Sequence, residues 1–241
     1  MRNDYPMTFF EEELKKLGIG LNEKQKNQFI DYYELLIEWN KIMNLTGIVQ
    51  WDEVVIKHFL DSLSLVKVCD MSQIKNVIDV GTGAGFPGIP LKIVFPHLKI
   101  CLLDSLKKRI SFLNEVIKSL NLEEICAMHG RAEDYARQND YRERFDLCVS
   151  RAVASLNVLS EYAIPFVRTS GLFIPYKSGK IEEELNSSKK AVEILGGKVK
   201  DQVKFHLAGQ DIERSFVIIK KEKSTPKKYP RKAGLPAKEP L

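Results

Sequence analysis

Residues 77 to 88 read Val-Ile-Asp-Val-Gly-Thr-Gly-Ala-Gly-Phe-Pro-Gly. Gly81, Gly83, Gly85 and Gly88 follow an apolar, strand-like run, and Asp79 stands just ahead of them. Glycine has no Cβ and accepts positive φ, so such a loop lets the backbone pass very close to a ligand. A nucleotide-like cofactor is expected here. The loop also fixes what must surround it.

From residue 76 onward the pattern alternates. Strand-like runs fall at 76–80, 98–103, 125–129, 145–150, 171–176, about 198–206 and 213–220. Helical patterns lie between most of them, near 87–95, 106–120, 132–138, 155–168 and 180–195. Leu106, Ile110, Leu113, Ile117 and Leu120 mark the period of one such helix. Strands alternating with helices predict an α/β, doubly wound, mostly parallel sheet. The last two strands are joined by only Leu-Ala-Gly-Gln-Asp, too short for a parallel crossover, so they should pair antiparallel. Seven strands ending in a hairpin resemble the class I methyltransferase fold.

Residues 1–75 read as a helical region packed on that core, 76–220 as the catalytic domain and 221–241 as a basic tail. Thr8 with Glu11, and Asn22 with Gln25, have capping-box spacing. Phe29, Tyr32, Leu36, Trp39 and Met43 form one apolar stripe read as core, and a third helix is expected over Trp51–Val68. No apolar run reaches the roughly 18 residues of a membrane span, and Met1–Pro6 has no apolar leader segment. Cys69, Cys101, Cys126 and Cys148 form no CxxC pair, so no metal site is expected. Three of them lie in strand-like runs and read as small buried hydrophobes in a reducing, cytoplasmic setting. Net charge is +5, yet residues 220–241 hold eight lysines and arginines against two glutamates, a local charge of +6. That tail fits either a polyanionic partner or a solvated, disordered end.

Gly83 to Gly88 match the dinucleotide fingerprint GxGxxG literally, which alone is a weak signal. Pro87 and Pro90 punctuate the start of the following helix, and no Gly-Lys-Ser/Thr is present, so a P-loop is excluded. The register Asp79-x-Gly81-x-Gly83-x-Gly85 is similar instead to the acidic-glycine signature of S-adenosylmethionine-dependent methyltransferases. Asp104 ends the second strand, where a carboxylate can accept both ribose hydroxyls in either kind of site. After the third strand, Ala132 and Glu133 stand where methyltransferases cap the adenine; Glu133 also suits a helix N-terminus as a dipole-favoured acid.

The fourth strand ends in Val149-Ser150-Arg151-Ala152-Val153-Ala154. It lacks the Asn-Pro-Pro-aromatic motif of enzymes that methylate base amines. It also lacks a loop cysteine for pyrimidine-carbon chemistry, since Cys148 lies inside the strand. A site with no obvious base or nucleophile fits a substrate atom that is already nucleophilic, such as guanine N7, for which positioning suffices. Single-stranded or loop RNA presents that atom best.

Taken together, Trp39-Asn40 with Asn44-Leu45-Thr46, His58-Phe59-Leu60-Asp61-Ser62, the loop from Asp79 to Gly88, Asp104-Ser105 with Lys108-Arg109, Arg131-Ala132-Glu133, Ser150-Arg151-Ala152-Val153-Ala154 and Tyr229-Pro230-Arg231-Lys232-Ala233-Gly234 resemble the bacterial 16S ribosomal RNA guanine-N7 methyltransferase family, also called the glucose-inhibited division protein B family. The resemblance spans nearly the whole chain. It implies S-adenosylmethionine as cofactor, and 16S rRNA or the small ribosomal subunit as partner. It implies cofactor contacts by Gly81, Phe86, Ala132, Glu133 and Arg151, joining Asp79, Gly83, Gly85 and Asp104 from the motif reading. No catalytic side chain is expected; Arg151 is the one candidate for positioning, reaching cofactor or RNA, or forming a surface ion pair. Lys107, Lys108 and Arg109 sit in a helix's first turn behind Ser105 as expected N-cap, where cations oppose the dipole. Phosphate binding or a solvated face would account for them. Lys177 and Lys180 share that rim, and Lys228, Arg231 and Lys232 extend the RNA candidates into the tail. His58 and Asp61 line the cofactor entrance or form a local pair. An NAD-type oxidoreductase and a non-catalytic RNA-binding scaffold are the competing readings, and a monomer is the default.

Overall fold

The computed structural model describes residues 5–241; residues 1–4, part of the stretch read above as lacking an apolar leader, lie outside the described residues. Helices α1 (Thr8–Lys16) and α2 (Glu23–Met43) open the fold. A composite helix follows, made of α3 (Trp51–Val54), a π-helical turn (Val55–Leu60), α4 (Asp61–Leu63) and a 3-10 turn (Ser64–Lys67). The expected single α-helix over Trp51–Val68 is therefore wider in its middle. π-turns of this kind concentrate at functional sites, and this one carries Lys57 and His58.

Strands and helices then alternate: β1 (Asn76–Val80), α5 (Gly88–Val94), β2 (Lys99–Asp104), α6 (Lys107–Ser119), β3 (Ile125–His129), α7 (Ala132–Tyr135), β4 (Phe145–Arg151), α8 (Leu156–Ala163), β5 (Val167–Ser178), α9 (Glu182–Ile194), β6 (Gly197–His206), β7 (Glu213–Lys221) and the short α10 (Leu235–Lys238). The seven strands form one sheet in the order β3-β2-β1-β4-β5-β7-β6. The first five run parallel, and β7 pairs antiparallel with both β5 and β6. The sheet is the seven-stranded class I methyltransferase arrangement. α8 ends sooner than the expected 168, because a 3-10 turn at Ile164–Phe166 with Pro165 near its start hands the chain to β5.

Successive side chains of each strand point to opposite faces, and both faces are covered. Val77, Leu102, Leu147 and Val149 pack on one side with Phe10, Phe29, Tyr32 and Phe59 from the N-terminal helices. Ile78, Val80, Leu103 and Cys148 pack on the other with Leu156, Leu159 and Val192. The N-terminal helices thus share a core with the sheet. Ring contacts at 5.0 Å (Phe10–Phe29) and 4.9 Å (Phe29–Phe59) confirm the aromatic stripe as packing.

Local signals met different fates. The Asn22/Gln25 capping box forms as expected, and the Gln25 amide also reaches the Ile93 carbonyl at 2.8 Å, tying α2 to the end of α5. The Thr8/Glu11 box does not form: Met7 is the N-cap, Thr8 lies inside the helix, and Glu11 pairs with Lys26 at 2.6 Å. Nor does Ser105 cap α6. Leu106 holds that position, and its N–H donates to Asp104 Oδ1 at 2.9 Å, so the preceding carboxylate orders the turn.

The tail is folded, which corrects the reading of it as a disordered end. Arg142 donates to the carbonyls of Thr225 (2.7 Å) and Tyr229 (2.8 Å), Tyr229 is buried, and Arg231 pairs with the buried Glu161. Of the three strand cysteines, Cys148 is buried as expected. Cys101 is half-buried and Cys126 exposed, because β3 is the edge of the sheet.

Candidate active site

Asp79 builds the glycine loop. Its Oδ2 accepts from Thr82 Oγ1 at 2.7 Å and from the Gly88 N–H at 2.9 Å. Gly88 is required at this distance: a Cβ there would stand 2.3 Å from Leu102 Cδ2. Gly81 has φ +71°, and a Cβ on it would meet Val153 at 2.4 Å. From the other side Tyr32 Oη donates to the Ala84 carbonyl at 2.5 Å, so α2 pins the loop. Burial pushes the Asp79 carboxyl up to about 6. Its Oδ1 is buried with no hydrogen-bond partner among the described residues.

A small pocket of about 80 Å³ opens beside the loop between Gly81, Asp104, Ala132, Glu133, Val153 and Tyr162. Asp104 is buried, and its Oδ2 accepts from the Gly83 N–H at 2.9 Å and from Arg109 at 3.0 Å. Glu133 is buried too, and one oxygen accepts the Gly234 N–H at 2.8 Å, so the tail closes the far end of this pocket. The sequence motif and the strand ends therefore bring Gly81, Asp104, Ala132 and Glu133 together.

A second, larger cavity of about 650 Å³ lies on the other side of residues 151–154. Its walls include Lys57, His58, Asp61, Arg151, Lys177, Glu184 and Arg214. Ala152 sits at φ 56°, left-handed backbone unusual for a residue with a Cβ. Around this bend Arg151 and Ala154 face the large cavity while Val153 lies over Gly81. Asp61 is almost fully buried and holds two arginines, Arg151 at 2.8 Å and Arg214 at 3.2 Å. The Arg151 guanidinium also lies 5.1 Å from the centre of the Phe86 ring, on which His58 stacks at 4.5 Å. Burial, and then the Arg151 charge, push His58 down to about 3, so it is neutral. With its proton on Nε2 the ring donates to Thr46 Oγ1 at 2.9 Å and accepts from Arg151 on Nδ1 at 3.2 Å. His58 and Asp61 are thus a single network with Arg151, and Phe86 packs against it.

The cations expected to meet RNA are in several states. Lys107, Lys180, Lys228 and Lys232 are exposed. Lys108 is exposed but donates to the Met43 carbonyl at 3.0 Å. Three are committed to protein partners: Arg109 to Asp104, Lys177 to Glu184 at 2.6 Å, and Arg231 to Glu161 at 2.7 Å. Arg109 and Arg231 each meet a buried carboxylate and Lys177 a half-buried one, partners that sequence position did not reveal. Lys57, Glu184 and Arg214 were missed. Each is an ordinary charged residue in an element whose placement, set by the sheet, brings it to the cavity.

The fold and the glycine-loop site define a methyltransferase of the S-adenosylmethionine-dependent class I type. One solved structure of this fold is TYW2 of P. horikoshii in complex with MeSAdo, with TM-score 0.51, 14% identity, and coverage of 66% of this chain and 60% of that one. A family profile described as rRNA small subunit methyltransferase G matches residues 25–216. Similar relatives with the name Ribosomal RNA small subunit methyltransferase G include one from Lachnoclostridium phytofermentans, 56% identical over 96% of each chain. Another is from Clostridium botulinum strain Loch Maree, 49% identical over 98% of this chain and 100% of its own. The chain belongs to the rRNA small subunit methyltransferase G family, and this sets aside the oxidoreductase reading.

Proposed function

We propose that this chain methylates N7 of one guanine in 16S ribosomal RNA, by direct transfer from S-adenosylmethionine and without a general base. One observation carries the reading. Every titratable side chain lining the large cavity is already held by protein: Lys57 by Glu53, Asp61 by Arg151 and Arg214, Lys177 by Glu184, Tyr176 by the Ser62 carbonyl, and neutral His58 by Thr46 and Arg151. None stands in the cavity as an unpaired base. A base atom with a lone pair and no proton is the substrate such a wall suits.

The residues fit the cofactor. Asp79 Oδ1 is a buried carboxylate oxygen in need of a donor, and Gly81 keeps the loop open where a Cβ would collide. Gly81, Gly83, Gly85 and Phe86 would hold the methionine and ribose portion, Asp104 the ribose hydroxyls, and Ala132 and Glu133 the adenine. When bound, S-adenosylmethionine supplies a methyl on a positively charged sulfur, ready for in-line attack. Asp104 must first exchange its bond to Arg109 for the ribose, which would free that arginine's charge on the rim. Arg151, fixed by Asp61 and Lys57, positions the strap between the two pockets and acts without touching a proton in flight. The exposed Lys107, Lys180, Lys228 and Lys232 supply phosphate contacts, with Lys108 beside them.

The test is incubation of the protein and methyl-labelled S-adenosylmethionine with small-subunit rRNA and with whole subunits lacking this modification, followed by digestion to nucleosides. Label in 7-methylguanosine is expected. Label in another nucleoside overturns the N7 assignment, and cofactor binding with no incorporation on either substrate favours the scaffold reading.

A further inference from the structure

Cys101 and Cys126 lie directly opposite each other on the neighbouring parallel strands β2 and β3. Their Sγ atoms are 3.6 Å apart, in contact. Adjacent strands stand about 4.8 Å apart, inside the roughly 4.4–6.8 Å Cα separation that a disulfide spans. Closing that contact to the roughly 2.05 Å of an S–S bond requires the two side chains to turn toward each other. The strand β3 is the sheet edge, so Cys126 is exposed while Cys101 behind it is half-buried.

We propose that Cys101 and Cys126 form a peroxide-sensitive dithiol, a modification site that closes reversibly to an intramolecular disulfide between β2 and β3.

The other two cysteines do not compete. Cys148 lies in the same row across the sheet, but Ile78 of β1 stands between it and Cys101. It is fully buried, and burial pushes its thiol well above the ordinary value. Cys69 is buried in the opposite core, and burial pushes it up to about 11. Cys126 is the reverse case: its thiolate is favoured by the neighbouring Cys101 thiol, which brings it down to about 7. Access, a resolving partner and thiolate character coincide at this one place, as in redox-sensing cysteines generally.

The chemistry balances with a hydroperoxide as oxidant. The Cys126 thiolate, its proton already lost to solvent, attacks the terminal peroxide oxygen. An S–O bond forms, the O–O bond breaks, and the leaving alkoxide takes a proton from solvent as an alcohol (or water, from hydrogen peroxide). The Cys101 sulfur then attacks Cys126 Sγ. The S–S bond forms, the S–O bond breaks, and hydroxide leaves with the Cys101 proton as water. Two thiols lose two electrons, the peroxide gains them, and a dithiol reductant reverses the change.

The bridge would lie three ladder pairs before Asp104, which ends β2 opposite His129, and upstream of Gly130 to Glu133. It would therefore fasten the two strands whose ends wall the small pocket. The experiment treats the intact protein with hydrogen peroxide, alkylates remaining thiols, and reads intact mass and peptides without reduction. Expected are the loss of two hydrogens, a peptide linking Cys101 to Cys126, and full reversal by dithiothreitol. The link should vanish in Cys126→Ser. In Cys101→Ser, Cys126 should stop at a sulfenic acid that dimedone traps. Full alkylation of both cysteines after peroxide, or further oxygenation of Cys126 in the parent chain with no link, would overturn the proposal. Both variants are conservative, and cofactor binding by calorimetry checks that each is folded.

Discussion

The two pockets on either side of residues 151–154 are built on opposite principles. The smaller one is made of backbone: glycines with positive φ, strand ends, and carboxylates that bond main-chain N–H groups. The larger is made of side chains from five separate elements, locked by ion pairs around Asp61 and Glu184. A backbone cradle tolerates few changes but recognises a constant ligand closely. A side-chain wall is set by its charge network, so removing one member affects all. Mutations should therefore separate the two pockets by which quantity they move.

The largest effect is expected at Asp61. Asp61→Ala leaves Arg151 and Arg214 without their shared buried carboxylate, and breaking a buried pair costs about 3–5 kcal/mol. Urea unfolding should show that loss, with methyl transfer falling far more than cofactor affinity. Loss of cofactor affinity alone would erase the distinction between the pockets. Asp104→Ala is expected next, weakening cofactor binding by about 1.5–3 kcal/mol for the lost charged hydrogen bonds. Calorimetry measures it, and RNA affinity should not fall with it, since the variant leaves Arg109 unpaired on the rim.

A third prediction uses two titrating groups, His58 in the wall of the large cavity and Asp79 buried beneath the glycine loop. His58 stays neutral in the folded chain down to about 3, against an ordinary 6.5. Between those values the unfolded chain takes up a proton that the folded chain refuses, so stability falls as pH falls from 6.5 towards 3. Asp79 is the opposite case: raised from 3.8 to about 6, it keeps a proton when folded and loses it when unfolded. Its contribution falls as pH rises from 3.8 to 6. The two largely cancel in the parent protein below pH 6. Asp79→Asn should steepen the acid loss by about 1.4 kcal/mol per pH unit, and His58→Gln should tilt the curve the other way. Denaturant midpoints at pH 4.5, 5.5 and 6.5 read both, and equal slopes in the two variants would refute the assignment. The smallest effect is expected on the rim. Lys228→Ala and Lys180→Ala should each lower the salt dependence of RNA binding by about one unit of slope, leaving cofactor affinity intact.

The same contrast explains what could be read from the chain. The seven strands and the glycine loop were legible because their signals are local: alternation, a hairpin too short to cross over, and glycines at fixed spacing. Asp104 and Glu133 followed from strand ends. Arg214 was not legible. Its place depends on β7 inserting antiparallel beside β5, which puts it opposite Ser178 at the cavity edge. Ser105 looked like a cap until Asp104, one residue earlier, supplied the acceptor. Arg231 looked like a free cation because nothing in the tail's charge reveals Glu161, distant in sequence and buried beneath it. Edge position exposed Cys126, and the order of strands in a sheet is not written in any one strand.

The central claim is that the large cavity asks only for a lone pair and never removes a proton. The direct measurement is single-turnover methyl transfer to small-subunit rRNA in which guanosine is replaced by 7-deazaguanosine, against the unmodified RNA at equal binding. The account predicts no transfer to the deaza RNA, and an unmodified-RNA rate that shows no limb from a titrating base between pH 6 and 9. Methyl transfer to the deaza RNA at the unmodified rate would contradict it.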